Sequence, residues 1–146
     1  MLLAAALPCT TAAQARSEAI LERQVVVLQE LAEAGVVEAY YQLALLAERN
    51  PGDPVFERID SAPYLAVAAA SGHRQAVRSM AFTLLRRATP AARREAATLV
   101  AAAAILGDDQ ATVDLGLLPR MTAVTDADMV AGFRRALGRM ADGRVV

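Results

Sequence analysis

At 146 residues the chain has the length of one domain with a sizeable core, and its formal net charge of -1 leaves no long-range field to steer it onto nucleic acid or an anionic membrane. Hydrophobic residues make up 55% of it but aromatics only 4%, with no Trp, so its apolar content is mainly Ala, Leu and Val, the composition of helices with small contact residues. A single cysteine, Cys9, excludes an intramolecular disulfide, and with His73 as the single histidine no Cys/His ligand set exists; neither metal, cofactor nor catalytic residues are expected.

In chain order, Met1 to Leu7 is apolar but too short to span a bilayer, and Ala13-Gln14-Ala15 has the small-x-small form of a signal-peptidase site. Residues 1–15 therefore read either as a truncated signal peptide, which would place the protein in the periplasm, or as a disordered or frayed start to a cytoplasmic chain. The first is preferred, although a cationic start is missing. Residues 16–141 form one helical domain, and residues 142–146 a short tail.

Ser17 is the predicted cap of a helix through Ile20, Val25, Leu28 and Leu31 to Ala34. A second runs from Val37 to Arg49 and is stopped by Asn50-Pro51-Gly52-Asp53-Pro54. Asp60 or Ser61 caps a third, with Pro63 in its first turn, reaching Ser71. After Gly72 a helix extends to Arg87 or Ala88, and Thr89-Pro90 reads as N-cap and first residue of one continuing to Leu106. A shorter helix covers Asp109 to Leu118 and ends at Pro119. Thr125-x-x-Asp128 opens the last as a capping box with Asp in place of Glu, closing near Gly143. That makes seven helices and no strand.

Within this series a pattern recurs. Gly35, Gly72 and Gly107 are spaced by 37 and 35 residues, and each is followed four positions on by Ala39, Ala76 or Ala111. Four further on stand Leu43, Met80 and Leu115, then Ala44, Ala81 and Gly116; three before each Gly stand Ala32, Ala69 and Ala104. The glycines fall where one helix ends and the next begins, the site where a left-handed residue costs least. Small residues let two helices cross closely, and the Leu and Met positions fill the space between layers. Each unit is then a helical hairpin that must stack on its neighbours to bury its apolar face.

Residues 32–46, Ala-Glu-Ala-Gly-Val-Val-Glu-Ala-Tyr-Tyr-Gln-Leu-Ala-Leu-Leu, resemble the Sel-one-like repeat, a relative of the tetratricopeptide repeat. Ala69 to Ala81 and Ala104 to Gly116 fit the same pattern less fully but in register, so the resemblance covers about residues 32–118. The family's Gly-rich inter-helix turn is replaced here by Asn50 to Pro54 and by Thr89-Pro90. The resemblance implies an all-α fold, a short right-handed α-solenoid of about three helix-turn-helix repeats with flanking helices. It also implies an adaptor or scaffold that assembles protein complexes, often in bacterial envelope processes, with no family-wide catalytic residues.

The expected function is accordingly non-catalytic: a helical groove presented to a protein or peptide partner. Tyr40 and Tyr41 are about 100° apart on one helix, so one faces the core and the other lies near the groove. With Gln42, Arg74 and Arg78 they are the predicted contact positions. Arg86, Arg87, Arg93 and Arg94 flank one tight turn and gather at one edge of the stack, where they engage an acidic partner or phosphate groups or, in the preferred reading, form a solvated edge with salt bridges to neighbouring repeats. No aromatic interleaving accompanies them, which argues against nucleic acid. His73 reads as a solvated helix-terminal residue, and Asp108-Asp109 as acids placed by the helix dipole. The alternative function is a structural module that self-associates, as a homodimer, through the exposed ends of the stack.

Overall fold

A computed structural model describes residues 11–57, 59 and 61–146; Cys9 and the apolar start that bears on export lie outside them. Thr11 opens α1 (Ala12–Glu33) through a capping box: its hydroxyl accepts from the Gln14 N–H at 3.3 Å, and the Gln14 Oε1 accepts from the Thr11 N–H at 2.9 Å. The helix therefore begins before Ser17, the predicted cap, because Thr11-x-x-Gln14 satisfies two end groups where Ser17 would satisfy one. Ala13-Gln14-Ala15 lies in its first turn.

The chain continues through α2 (Val37–Arg49), a single turn α3 (Pro54–Glu57) that starts at the last residue of the predicted breaker, α4 (Ser61–Ala70), α5 (Arg74–Leu85), α6 (Pro90–Ile105), α7 (Asp109–Met121) and α8 (Asp126–Ala141). The described residues are all-α and contain no strand. Two predicted ends move. α5 stops at Leu85, because Ala88 takes a left-handed φ of 55° and Thr89 is held extended before Pro90. α7 passes through Pro119, whose fixed φ suits a helix and whose missing N–H forfeits one bond in the last turn. Beyond it the Thr122 N–H and hydroxyl both return to the Leu118 carbonyl, at 2.9 and 2.7 Å. No helix among the described residues is long and apolar enough to cross a membrane.

The recurring glycines have φ of 88°, 84° and 91° at Gly35, Gly72 and Gly107. Each closes a helix by the same two bonds. The glycine N–H donates to Ala32, Ala69 or Ala104, and the next N–H donates to Leu31, Ala68 or Ala103, all at 2.9–3.0 Å. This is the Schellman closure, and the Ala three before the glycine is its backbone acceptor. The same closure ends α8 at Gly143, 36 residues after Gly107, with Met140 and Arg139 as acceptors.

The residue after each glycine is the extended N-cap of the next helix, and the repeated Ala is its third residue. Asp108 Oδ1 accepts from the Ala111 N–H at 2.8 Å, and His73 Nδ1 accepts from the Ala76 N–H at 3.2 Å. Ala39, Ala76 and Ala111 are small because they are buried, at 2%, 0% and 0% exposure. Val36 alone of the three caps makes no side-chain bond. Val36→Ser is thus expected to raise stability by about 1 kcal/mol, read as a higher urea midpoint; no rise would mean that α2 is already closed by other contacts.

Helices pack mainly on neighbours in sequence: α1 on α2, α2 on α4, α4 on α5, α5 on α6, and α6 on both α7 and α8. Val25, Ala32, Ala39, Leu43 and Phe56 make one core, and a larger one follows from α2 to α8, with Tyr40 and Tyr64 bordering both. α6 is the hub, buried all round from Ala96 to Ala103 because helices cover it on several sides. Where α8 crosses it, Gly132 lies against the backbone of Ala97 and Thr98, so close that a Cβ there would stand 2.7 Å from the Ala97 carbonyl carbon.

Candidate partner-binding groove

The residues singled out in the sequence divide into links between hairpins and lining of an open groove. The first link joins α2 to α5. Because His73 Nδ1 accepts the capping N–H, its proton sits on Nε2, which donates to Glu38 Oε2 at 2.6 Å. Gln42 donates to the other oxygen of Glu38 at 2.6 Å, and the Tyr41 ring lies 4.4 Å from the imidazole. The Gln42 and His73 hydrogen bonds hold the Glu38 carboxyl below its ordinary range. His73 is thus helix-terminal as predicted but not solvated: its side chain is 13% exposed and its two nitrogens are engaged. Tyr40 turns the other way, onto Tyr64 at 6.1 Å.

A second link joins α5 to α7. Arg78 Nε donates to Asp114 Oδ2 at 2.6 Å, and its guanidinium lies 4.8 Å from the Phe82 ring centre. Asp114 is buried. Arg74 is exposed and reaches the α6–α7 turn at Gly107. A third link joins α6 to α8: Arg139 grips Glu95 through two bonds of 2.6 and 2.8 Å, and Arg135 donates to the Thr98 hydroxyl at 2.9 Å. The Arg139 hydrogen bonds lower the Glu95 pKa and raise that of Arg139. The pairs that join the helices, Glu38–His73, Arg78–Asp114 and Glu95–Arg139, lie 35, 36 and 44 residues apart in sequence.

Glu38, Glu95 and Asp128, the last lowered by the Thr125 backbone and hydroxyl bonds, all have depressed pKa values in the folded chain. A depressed carboxylate contributes stability above its unfolded pKa and loses it as pH falls through the folded value. The urea midpoint is therefore expected to hold near neutrality and to fall progressively below about pH 4.5. Glu95→Gln should flatten that fall; an unchanged acid profile would show the pair to be energetically silent.

The groove lies where α2, α4 and α5 meet. Its volume is about 450 Å³, its floor is Leu65, Met80 and Leu84 with Ala44 and Ala66, and Glu48, Arg86 and Arg87 stand on its rim. Glu48, Thr83 and Arg86 also line an adjoining recess with Arg78, Ser79 and Phe82, so the two form one trough. It is lined by both helices of a hairpin, α4 and α5, and by the preceding α2. Arg86 donates to the Thr83 hydroxyl at 3.2 Å, and neither it nor Arg87 is ion-paired among the described residues. Arg93 instead donates to the Ala88 carbonyl at 2.9 Å, and the Arg94 charge adds to the Thr125 bonds that hold the Asp128 carboxyl below its ordinary range. Of the four predicted to gather at one edge, two border the trough and two serve the turn and α8.

In the sequence Ala44 and Met80 read as packing positions of the repeat, and the floor they share with Leu65 and Leu84 does not stand out because it forms only where α2, α4 and α5 meet. No protein-family model matches the chain, and no curated protein or solved structure matches it.

Proposed function

We propose that the chain is a short α-solenoid of Sel-one-like helical hairpins whose trough between α2, α4 and α5 holds a protein or peptide partner without chemistry. The solenoid reading is supported by three left-handed glycines with the same closure, the same buried Ala and regular spacing. The partner reading is carried by one observation: an open apolar floor beside Arg86 and Arg87, two cations that form no ion pair among the described residues. Apolar anchoring inside a charged rim is the usual anatomy of a recognition site. Tyr41, Gln42 and Arg78 act here as links that fix the angle between hairpins, and so shape the trough.

Affinity capture from the native cells tests this, comparing the wild type with Arg86→Glu/Arg87→Glu. Both sites are exposed, so the variant should fold with unchanged circular dichroism and lose a partner that the wild type enriches. Equal enrichment by both proteins would remove the trough from the account.

A further inference from the structure

A second surface, uncovered among the described residues, lies on α1, away from the trough. Residues 11–20 are exposed throughout, and farther along Ile20, Val27 and Leu31 are 62%, 45% and 41% exposed. Spacings of seven and four place these three on one stripe, to the side of the buried Val25 and Ala32. Ile20 and Val27 of the stripe, with Arg23, Gln24 and Leu28, form one wall of a groove of about 620 Å³ whose other wall is Gln42, Leu46 and Arg49 of α2. Arg23 and Arg49 are the charged residues lining it, with no acid among them. What fits such a groove is a helix with an apolar stripe and an excess of acids. α1 is itself that helix, carrying Glu18, Glu22, Glu30 and Glu33 against Arg16 and Arg23.

We propose that two copies of the chain pair through antiparallel α1 helices, each stripe seated in the α1–α2 groove of the other. An antiparallel pair is two-fold symmetric, so every contact occurs twice. The register that sets Arg23 against Glu30 of the second copy also brings Val27 onto its counterpart and Leu31 beside Ile20. Charge and apolar contact are then satisfied by one alignment. The pair of α1 and the pair of α2 helices together make a four-helix packing. This surface shares no residue with the Arg86/Arg87 rim, so the dimer and the trough can fail independently.

Sedimentation equilibrium of the full chain over a wide concentration range tests the proposal. The wild type should follow a monomer–dimer equilibrium. Ile20→Glu/Val27→Glu should be monomeric at every concentration with unchanged helical content, since both positions are exposed. Arg23→Glu should weaken the dimer about tenfold, and Arg23→Glu/Glu30→Arg should restore it. The other end supplies a control: Val130→Glu/Leu137→Glu on α8 should leave the dimer intact. A wild type that is monomeric throughout, a dimer indifferent to the α1 changes, or one dissolved by the α8 changes overturns the proposal. Failure of the charge swap overturns the antiparallel register.

Discussion

Gly132→Ala is expected to destabilise the protein by about 2–3 kcal/mol, although Ala is the better helix former by about 1 kcal/mol. The added methyl would stand 2.7 Å from the Ala97 carbonyl carbon, 2.9 Å from its oxygen and 2.9 Å from the Thr98 nitrogen. All three are backbone atoms of the hub helix, so no side chain can rotate away. Relief requires α8 to move off α6, which disturbs the Arg139–Glu95 and Arg135–Thr98 bonds at the same crossing. Gly138, on the same helix, has nothing within 4 Å of its Cβ position and is exposed. Gly138→Ala should therefore raise stability by up to about 1 kcal/mol. Urea unfolding of the two variants separates helix propensity from packing. If both shift the midpoint upward, the α6–α8 crossing is not as described.

Arg78→Ala carries the second large effect, a loss of about 2–3 kcal/mol, because it strands a buried charge. The Asp114 side chain is 7% exposed, and its only other side-chain hydrogen bond among the described residues is from the Gln110 amide at 3.5 Å, too long to replace a guanidinium. Arg78→Leu/Asp114→Leu removes both charges and should recover most of the loss, as buried ion pairs often yield to apolar pairs without penalty. A loss that persists in the double variant would trace instead to the Arg78 packing on Phe82. Arg78 also lines the recess beside the trough. Its substitution would impair binding through the hairpin angle, and for that reason Arg86 and Arg87 are the cleaner probes of the partner.

What could be read from the sequence follows from how local each requirement is. The Gly, the Ala before it and the Ala after it recur because the closure and cap bonds span only a few residues, and such needs leave a short fixed pattern. Thr125-x-x-Asp128 was legible for the same reason. Thr11-x-x-Gln14 carried the same signal and was passed over for Ser17, the polar residue nearer the apolar run. Gly132 carried no signal, since its smallness answers to a backbone that crosses from another helix. The links Glu38–His73, Arg78–Asp114 and Glu95–Arg139 join residues 35–44 apart without a local period. Of the trough, Arg86 and Arg87 stood out as charge, while Leu65, Met80 and Leu84 were indistinguishable from core until α2, α4 and α5 were placed.

The central claim is that a stack of helical hairpins holds a partner in the trough. Site-specific photocrosslinking in the native cells tests this, with the photoreactive residue at Ala66 on the trough floor and, as a control, at the exposed Val113 on α7. A partner seated in the trough gives one protein crosslinked from position 66 and absent from position 113, and lost in the Arg86→Glu/Arg87→Glu background. Crosslinks that form equally from both positions, or from neither, would contradict it.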